Sequence, residues 1–209
     1  MHLKSLIQGL DGIIPGGISF LDFAIVAKTD QISSKEILNV LVANGIGSFE
    51  KDLINFTSGD KLNAALFAIK EGAPIEEVSS YLNWKDFEGL TAEILELKGF
   101  SIIRNFILTK PRMEIDVIGI NHGVALLIDC KHWKRQSNSS INNSVKKQIE
   151  RVRHYVAKTQ GAIAVPAIVT LFQEQLNFVE KVPIIPISQF SSFVDDFYGN
   201  LDELKTIET

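Results

Sequence analysis

The spacing of apolar positions changes once along the chain, near residue 84. Before it, apolar residues recur at helical intervals in short blocks. ISFLDFAIVAKT (18–29) is densely apolar and reads as helix. SSKEILNVLVANGIG (33–47) opens at Ser33 with Glu36 three places on, a capping-box pattern, and closes at Asn44-Gly45. DLINF (52–56) reads as a short strand. SGDKLNAALFAIKEG (58–72) starts at a serine cap, spaces Leu62, Ala65, Leu66 and Ile69 as a helix does, and stops at Gly72. Pro74 suits the first turn of one more helix. These blocks predict a small, mostly helical, winged-helix-like domain over residues 1–83. Its candidate recognition helix, 33–44, holds Lys35 as its one base, so packing or dimerisation suits it at least as well as reading a groove.

Residues 84–209 alternate helix and strand. A helix is expected at 85–98, and strands at 101–108, 114–120 and 123–131. An Asn/Ser-rich loop (136–143) and a polar helix (144–159) follow. Further strands at 162–171 and 182–187 lead to a final amphipathic helix around SSFVDDFYGNL. Strands flanked by helices at both ends predict an α/β domain with a mixed sheet covered on both faces.

Composition narrows the class. The chain has 209 residues, enough for one good core or a domain with a smaller companion. No stretch reaches the roughly 18 consecutive apolar residues of a membrane span, so no membrane partner is expected. The N-terminus makes a poor signal peptide. One cysteine, Cys130, excludes an intramolecular disulfide and a cysteine metal cluster, and points to a reducing, cytoplasmic setting. The net charge of −4 argues against a protein that coats nucleic acid. Yet from Lys131 to Lys158 eight Lys and Arg residues face one acid, Glu150. That window serves either as a phosphate-binding face or as a solvated helix face.

The most apolar hairpin holds the sharpest signal. EIDVIGINHGVALLIDCKHW (114–133) places Asp116, Asp129 and Lys131 among aliphatic residues. Gly123 suits a tight turn needing positive φ. With His122-Gly123 as a two-residue loop, paired positions sum to 245, and Asp116 falls opposite Asp129. Opposed side chains have Cβ atoms about 4.5–5.5 Å apart, and like charges there repel. Lys131 emerges on the same face as Asp129, and Cys130 and His132 on the other. One account is a salt bridge in which Lys131 compensates the aspartates. One lysine cannot neutralise two carboxylates, whereas Mg²⁺ or Mn²⁺ would, and oxygen ligands suit those ions better than zinc. In the helix before the hairpin, Glu88 has Thr91, Ala92 and Leu95 as its helical neighbours. It therefore lies at the edge of the buried face, where it either points to the sheet or complements the helix dipole.

A helix glutamate in FEGLTAEILELKGFSIIRN, then EID, then IDCK, resembles the PD-(D/E)xK nuclease superfamily. The likeness is nearest to Mrr-type restriction endonucleases and archaeal Holliday junction resolvases, and EID…DCKHW also resembles the NERD branch. It covers roughly residues 84–190. Asp129 stands where glutamate is commoner, no proline precedes Asp116, and Tyr155 misses the spacing of the RecB-type Q-x-x-x-Y motif. The resemblance implies a restriction-endonuclease-like fold over 84–209 and Mg²⁺-dependent (or Mn²⁺-dependent) endonuclease activity on DNA. It implies Asp116, Asp129 and the Cys130 carbonyl as metal ligands, with Glu88 holding a second metal or orienting water. Lys131 would place the attacking water, and Gln148, Lys134, Lys147 and Arg151 would touch the DNA backbone. Trp133 is expected to pack at the sheet edge. A homodimer is expected, because cutting two strands needs two sites. The alternatives are a catalytically inactive module that binds nucleic acid or a partner, and a scaffold whose charges form a structural cluster.

Overall fold

A computed structural model describes residues 3–132, 137–171 and 176–208. The chain divides into two compact units, Met1–Phe87 and Glu88–Thr209.

In the first unit the order is α1 (Leu3–Gly9), β1 (Gly16–Ser19), α2 (Phe20–Val26), α3 (Gln31–Ala43), β2 (Ser48–Glu50), β3 (Leu53–Phe56), α4 (Asp60–Lys70) and α5 (Ile75–Ser79). The strands form an antiparallel sheet in the order β1-β3-β2. A helix, a strand, two helices and a hairpin wing make a winged-helix arrangement. The 18–29 block is not one helix. Its start pairs with β3 as strand, and Ser19 caps α2 by accepting from the Asp22 N–H. Ser33 is not the cap of α3 either. Asp30 takes that place, accepting from the Ile32 and Ser33 N–H groups.

This unit is acidic. Residues 1–87 hold seven Lys and no Arg against eleven Asp and Glu, so the whole net charge of −4 resides there and residues 88–209 are balanced. On α3, Lys35 lies over the Phe20 ring, 5.9 Å from its centroid, while Ile32 beside it is exposed.

Among the described residues of the second unit, seven strands form one mixed sheet. β4 (Ser101–Thr109), β5 (Arg112–Asn121) and β6 (Val124–Lys131) run antiparallel. β6, β7 (Ile163–Thr170) and β9 (Val182–Pro186) are parallel, and β8 (Asn177–Val179) closes the edge. A two-residue β10 (Ile207–Glu208) pairs with β7. β6 and β7 are buried along nearly their whole length, as strands covered on both faces must be.

The helix α6 (Trp84–Leu97) and the helix α7 (Asn138–Val156) cover opposite faces of the hairpin. Leu127 and Ala125 pack with Val152, Tyr155 and Val156 of α7. Cys130, of opposite parity, meets Thr91 of α6. The last helix, α8, is Ile187–Asp195. The expected loop at 136–143 is mostly the first turns of α7. Ser137 caps it by accepting from the Ser140 N–H, and Ile141 packs with Val145 and Ile149 on the core. That burial overrides the weak helix preference of Ser and Asn.

Gly119 lies directly beneath Leu95 of α6. A Cβ there would lie 2.9 Å from Leu95 Cδ1 and 3.1 Å from Phe100 Cδ1. Gly119→Ala should therefore destabilise the second unit by about 1–3 kcal/mol through overpacking. Urea unfolding followed by circular dichroism checks this, and an unchanged midpoint would show that α6 has room to move.

Candidate active site

The hairpin register follows from its turn. His122 and Gly123 both have positive φ, 44° and 78°, which a two-residue loop of this kind requires. The pairs run from Asn121↔Val124 to Val117↔Ile128, each summing to 245. Continued one step, that register sets Asp116 across from Asp129, and there the regular pairing stops. On its other side β5 pairs Arg104 with Val117 and Phe106 with Ile115, passing over Asn105, which has φ 52°, and Asp116. β5 thus leaves regular pairing on both sides at Asp116. The Asp116 carboxylate fills part of the gap by accepting the Cys130 N–H through Oδ2 at 2.7 Å.

Asp129 is the most enclosed acid of the group, at 2 % exposure. Its burial follows from position, since β6 lies between β5 and β7 and its odd positions face α7. Lys131 Nζ lies 2.9 Å from Oδ1 and 2.8 Å from Oδ2. Arg151 Nη1 donates to Oδ1 at 2.7 Å. One lysine does not face the carboxylates alone, because Arg151 arrives from α7 as a second cation that the sequence reading assigns to the DNA backbone. Helical spacing placed Arg151 on a polar face but could not show which strand that face would meet.

Gln148 also differs from its expected role. It is wholly buried, donates Nε2–H to the Leu127 carbonyl at 2.8 Å, and accepts from Arg151 Nη1 at 3.2 Å. It cannot touch a DNA backbone from there, and what it does is orient Arg151. Lys147 is exposed on α7. Lys134 and Trp133 lie outside the described residues.

Glu88, on α6, is 5 % exposed, and its Oε2 is buried with no hydrogen-bond partner. Burial, then the charges of Asp116 and Glu114, raise its pKa to about 7 against the pull of Arg104. Burial and the charge of Asp129 raise Asp116 to about 6, while the Cys130 N–H, Lys131 and Arg151 act the other way. Burial, followed by Asp116, also pushes the Cys130 thiol well up, which disfavours its thiolate. Sequence reasoning missed Thr170, the single polar residue in the run 162–171. It pairs with Lys131 across β6 and β7, and its Oγ1 is buried without a partner.

Whether a divalent cation suits this site can be judged from its donors. The set is all oxygen, it carries an orphaned buried carboxylate oxygen, and Asp116 feels the charge of Asp129. Those features fit Mg²⁺ or Mn²⁺. Among the described residues, however, no three His, Cys, Asp or Glu side chains come together as a metal-holding group. One ion held by Glu88, Asp116 and Asp129 together finds no support, and the part expected of Glu88, holding a second metal or orienting water, is a separate one. Of the expected ligands, Asp129 has both oxygens engaged by Lys131 and Arg151, and Asp116 has one on the Cys130 N–H.

No family model matches this chain. An uncharacterized protein of Archaeoglobus fulgidus is 29% identical over 126 residues, 58% of this chain and 97% of its own length. The crystal structure of protein VC1899 from Vibrio cholerae superposes with a TM-score of 0.44 at 14% identity, over 96% of this chain and 52% of that one. Can2 from Sulfobacillus thermosulfidooxidans, in complex with cyclic tetra-adenylate, gives 0.38 at 12% identity, over 94% of this chain and 50% of that one. The chain spans about half the length of these two structures, and at such scores the likeness carries no argument. Among the described residues no helix is long and apolar enough to cross a membrane.

The raised carboxyls set a pH dependence. Unfolded, both would titrate near about 4. Folded, they hold their protons up to about 6 for Asp116 and about 7 for Glu88. Their contribution to stability is therefore complete below pH ~4 and is lost as pH rises towards ~7. Glu88→Gln should flatten this decline and leave the variant more stable than wild type at pH 8. Urea midpoints between pH 4.5 and 8 provide the check, and parallel profiles for the two proteins would contradict the assignment.

Proposed function

We propose that the second unit is a divalent-metal-dependent nuclease that hydrolyses phosphodiester bonds in DNA. The observation that carries this reading is that Glu88, Asp116, Asp129 and Lys131 feel one another's charge where β5 parts from β6, with a buried Glu88 oxygen left unpartnered. Buried acids around an unsatisfied oxygen cost stability, and such costs concentrate at functional sites.

Held by Asp116, Asp129 and the Cys130 carbonyl, Mg²⁺ or Mn²⁺ would supply Lewis-acid chemistry, neutralising phosphate oxygens and lowering the pKa of water. Lys131 positions the attacking water with its ammonium and counters the charge that grows on the phosphorane-like transition state. Glu88, raised towards neutrality, orients that water through its orphaned oxygen and accepts its proton. Lys147 meets the DNA backbone from the exposed side of α7, and Lys134, outside the described residues, keeps its expected part as a backbone contact. A homodimer brings two such sites to a duplex.

One observation favours a second reading, a nucleic-acid-binding module without catalysis. Both oxygens of Asp129 are already engaged by Lys131 and Arg151. A cleavage panel over linear, branched and single-stranded DNA and over RNA, with Mg²⁺ or Mn²⁺, separates the two. Lys131→Ala should lower cleavage by at least about a hundredfold while circular dichroism stays unchanged. Asp129→Asn should do the same. Undiminished cleavage in both variants would remove the assigned site, and no cleavage by wild type would favour the binding module.

A further inference from the structure

We propose that Arg104 is a substrate-binding residue that grips a backbone phosphate of the nucleic acid at the open edge of the sheet, on β4. This rests on the nuclease reading above and adds to it a contact on the side away from α7.

β4 is the end strand of its sheet, and Arg104 is exposed on it. The facing of the hairpin reverses beside this residue. Ile115 and Ile118 of β5 both join the cluster built with Val152, Tyr155 and Val156 of α7, although positions three apart face opposite ways in an unbroken strand. Their partners on β4 are Phe106 and Ile103, and between those two Asn105 takes φ 52°. The Phe106 ring meets Tyr155 edge-on, 5.8 Å between centroids. Arg104, next to Ile103, therefore stands on the other face, where α6 carries Glu88. Without the reversal, Phe106 anchored on α7 would draw Arg104, two places before it, to the α7 side as well. A left-handed residue other than glycine is uncommon, and such strain concentrates at functional sites.

Charge points the same way. Burial, Asp116 and Glu114 raise the Glu88 pKa, and the charge of Arg104 works against them, so the guanidinium reaches the acids. Lys131 and Arg151 are engaged by Asp129. A polyanion brought to Glu88 and Asp116 is repelled by them, and a guanidinium, whose planar fork matches phosphate oxygens, offsets that repulsion from the adjoining strand. The positive edge continues past Arg104. Residues 101–113 hold three Arg and Lys and no acid, and Lys110 and Arg112 are exposed like Arg104.

Fluorescence anisotropy of the full chain with a short labelled DNA duplex in EDTA, over a range of salt, tests this apart from cleavage. Arg104→Gln should weaken binding about tenfold in about 0.1 M salt and lower the log–log salt slope by about one unit, the mark of one lost phosphate contact. Arg104→Lys keeps the charge without the fork, so it should keep the slope and bind with an affinity between the two. Lys70→Gln removes the same charge from an exposed position on α4 and should match wild type. If Arg104→Gln keeps wild-type affinity and slope, Arg104 is only a charged guard on a sheet edge and the proposal is overturned. The nuclease reading then still stands where wild type cleaves and Lys131→Ala does not. Equal losses in Arg104→Gln and Lys70→Gln would assign the effect to net charge and overturn the proposal too. A wild type that binds neither duplex nor single-stranded DNA removes this inference and the nucleic-acid reading together. Should Arg104→Gln fail to fold by circular dichroism, Arg104→Lys decides, and an affinity equal to that of wild type would overturn the proposal.

Discussion

The Asp129 carboxylate is nearly sealed from water, and the site is arranged around satisfying it. Removing a partner from a buried ion pair costs about 3–5 kcal/mol, because the charge left behind has neither solvent nor counter-ion. β6 supplies Lys131 two residues along, on the same face, and α7 supplies Arg151. Gln148 in turn fixes the guanidinium. The position of α7 on the sheet is thus tied to one acid as well as to the aliphatic residues beneath the helix.

Asp116 and Glu88 lack such support. Asp116 has a single backbone N–H at the point where β5 parts from β6, and Glu88 keeps a buried oxygen with no partner. Their raised pKa values express the same fact, since burial and neighbouring acids penalise the charged forms. A fully satisfied acid beside two under-satisfied ones is an electrostatic gradient within one cluster. Positive charge placed near them would lower both pKa values and relieve that penalty. The first unit lacks this character. It holds the entire net negative charge of the chain, with one lysine on its α3 face beside exposed Ile32, and resembles a packing module more than a groove reader.

Much of this was legible in the sequence. The alternation in 114–131, with Gly123 at the turn, determined the hairpin, its register and the shared face of Asp129 and Lys131, because a period of two and a tight loop leave one pairing. Helical spacing gave α4, α6 and the core of α7, and the change of rhythm near residue 84 marked off an α/β region. These are local properties, carried by neighbours a few residues apart. What only the tertiary structure decided is long-range. The first turns of α7 form in an Asn/Ser stretch because Ile141 finds a core to join. Gln148 is buried rather than exposed, Thr170 lies beside Lys131, and Arg151 meets Asp129 across 22 positions of sequence. Periodicity fixes which face of a helix is polar, but which strand that face meets depends on how the sheet is ordered and where helices dock, and no local spacing encodes that.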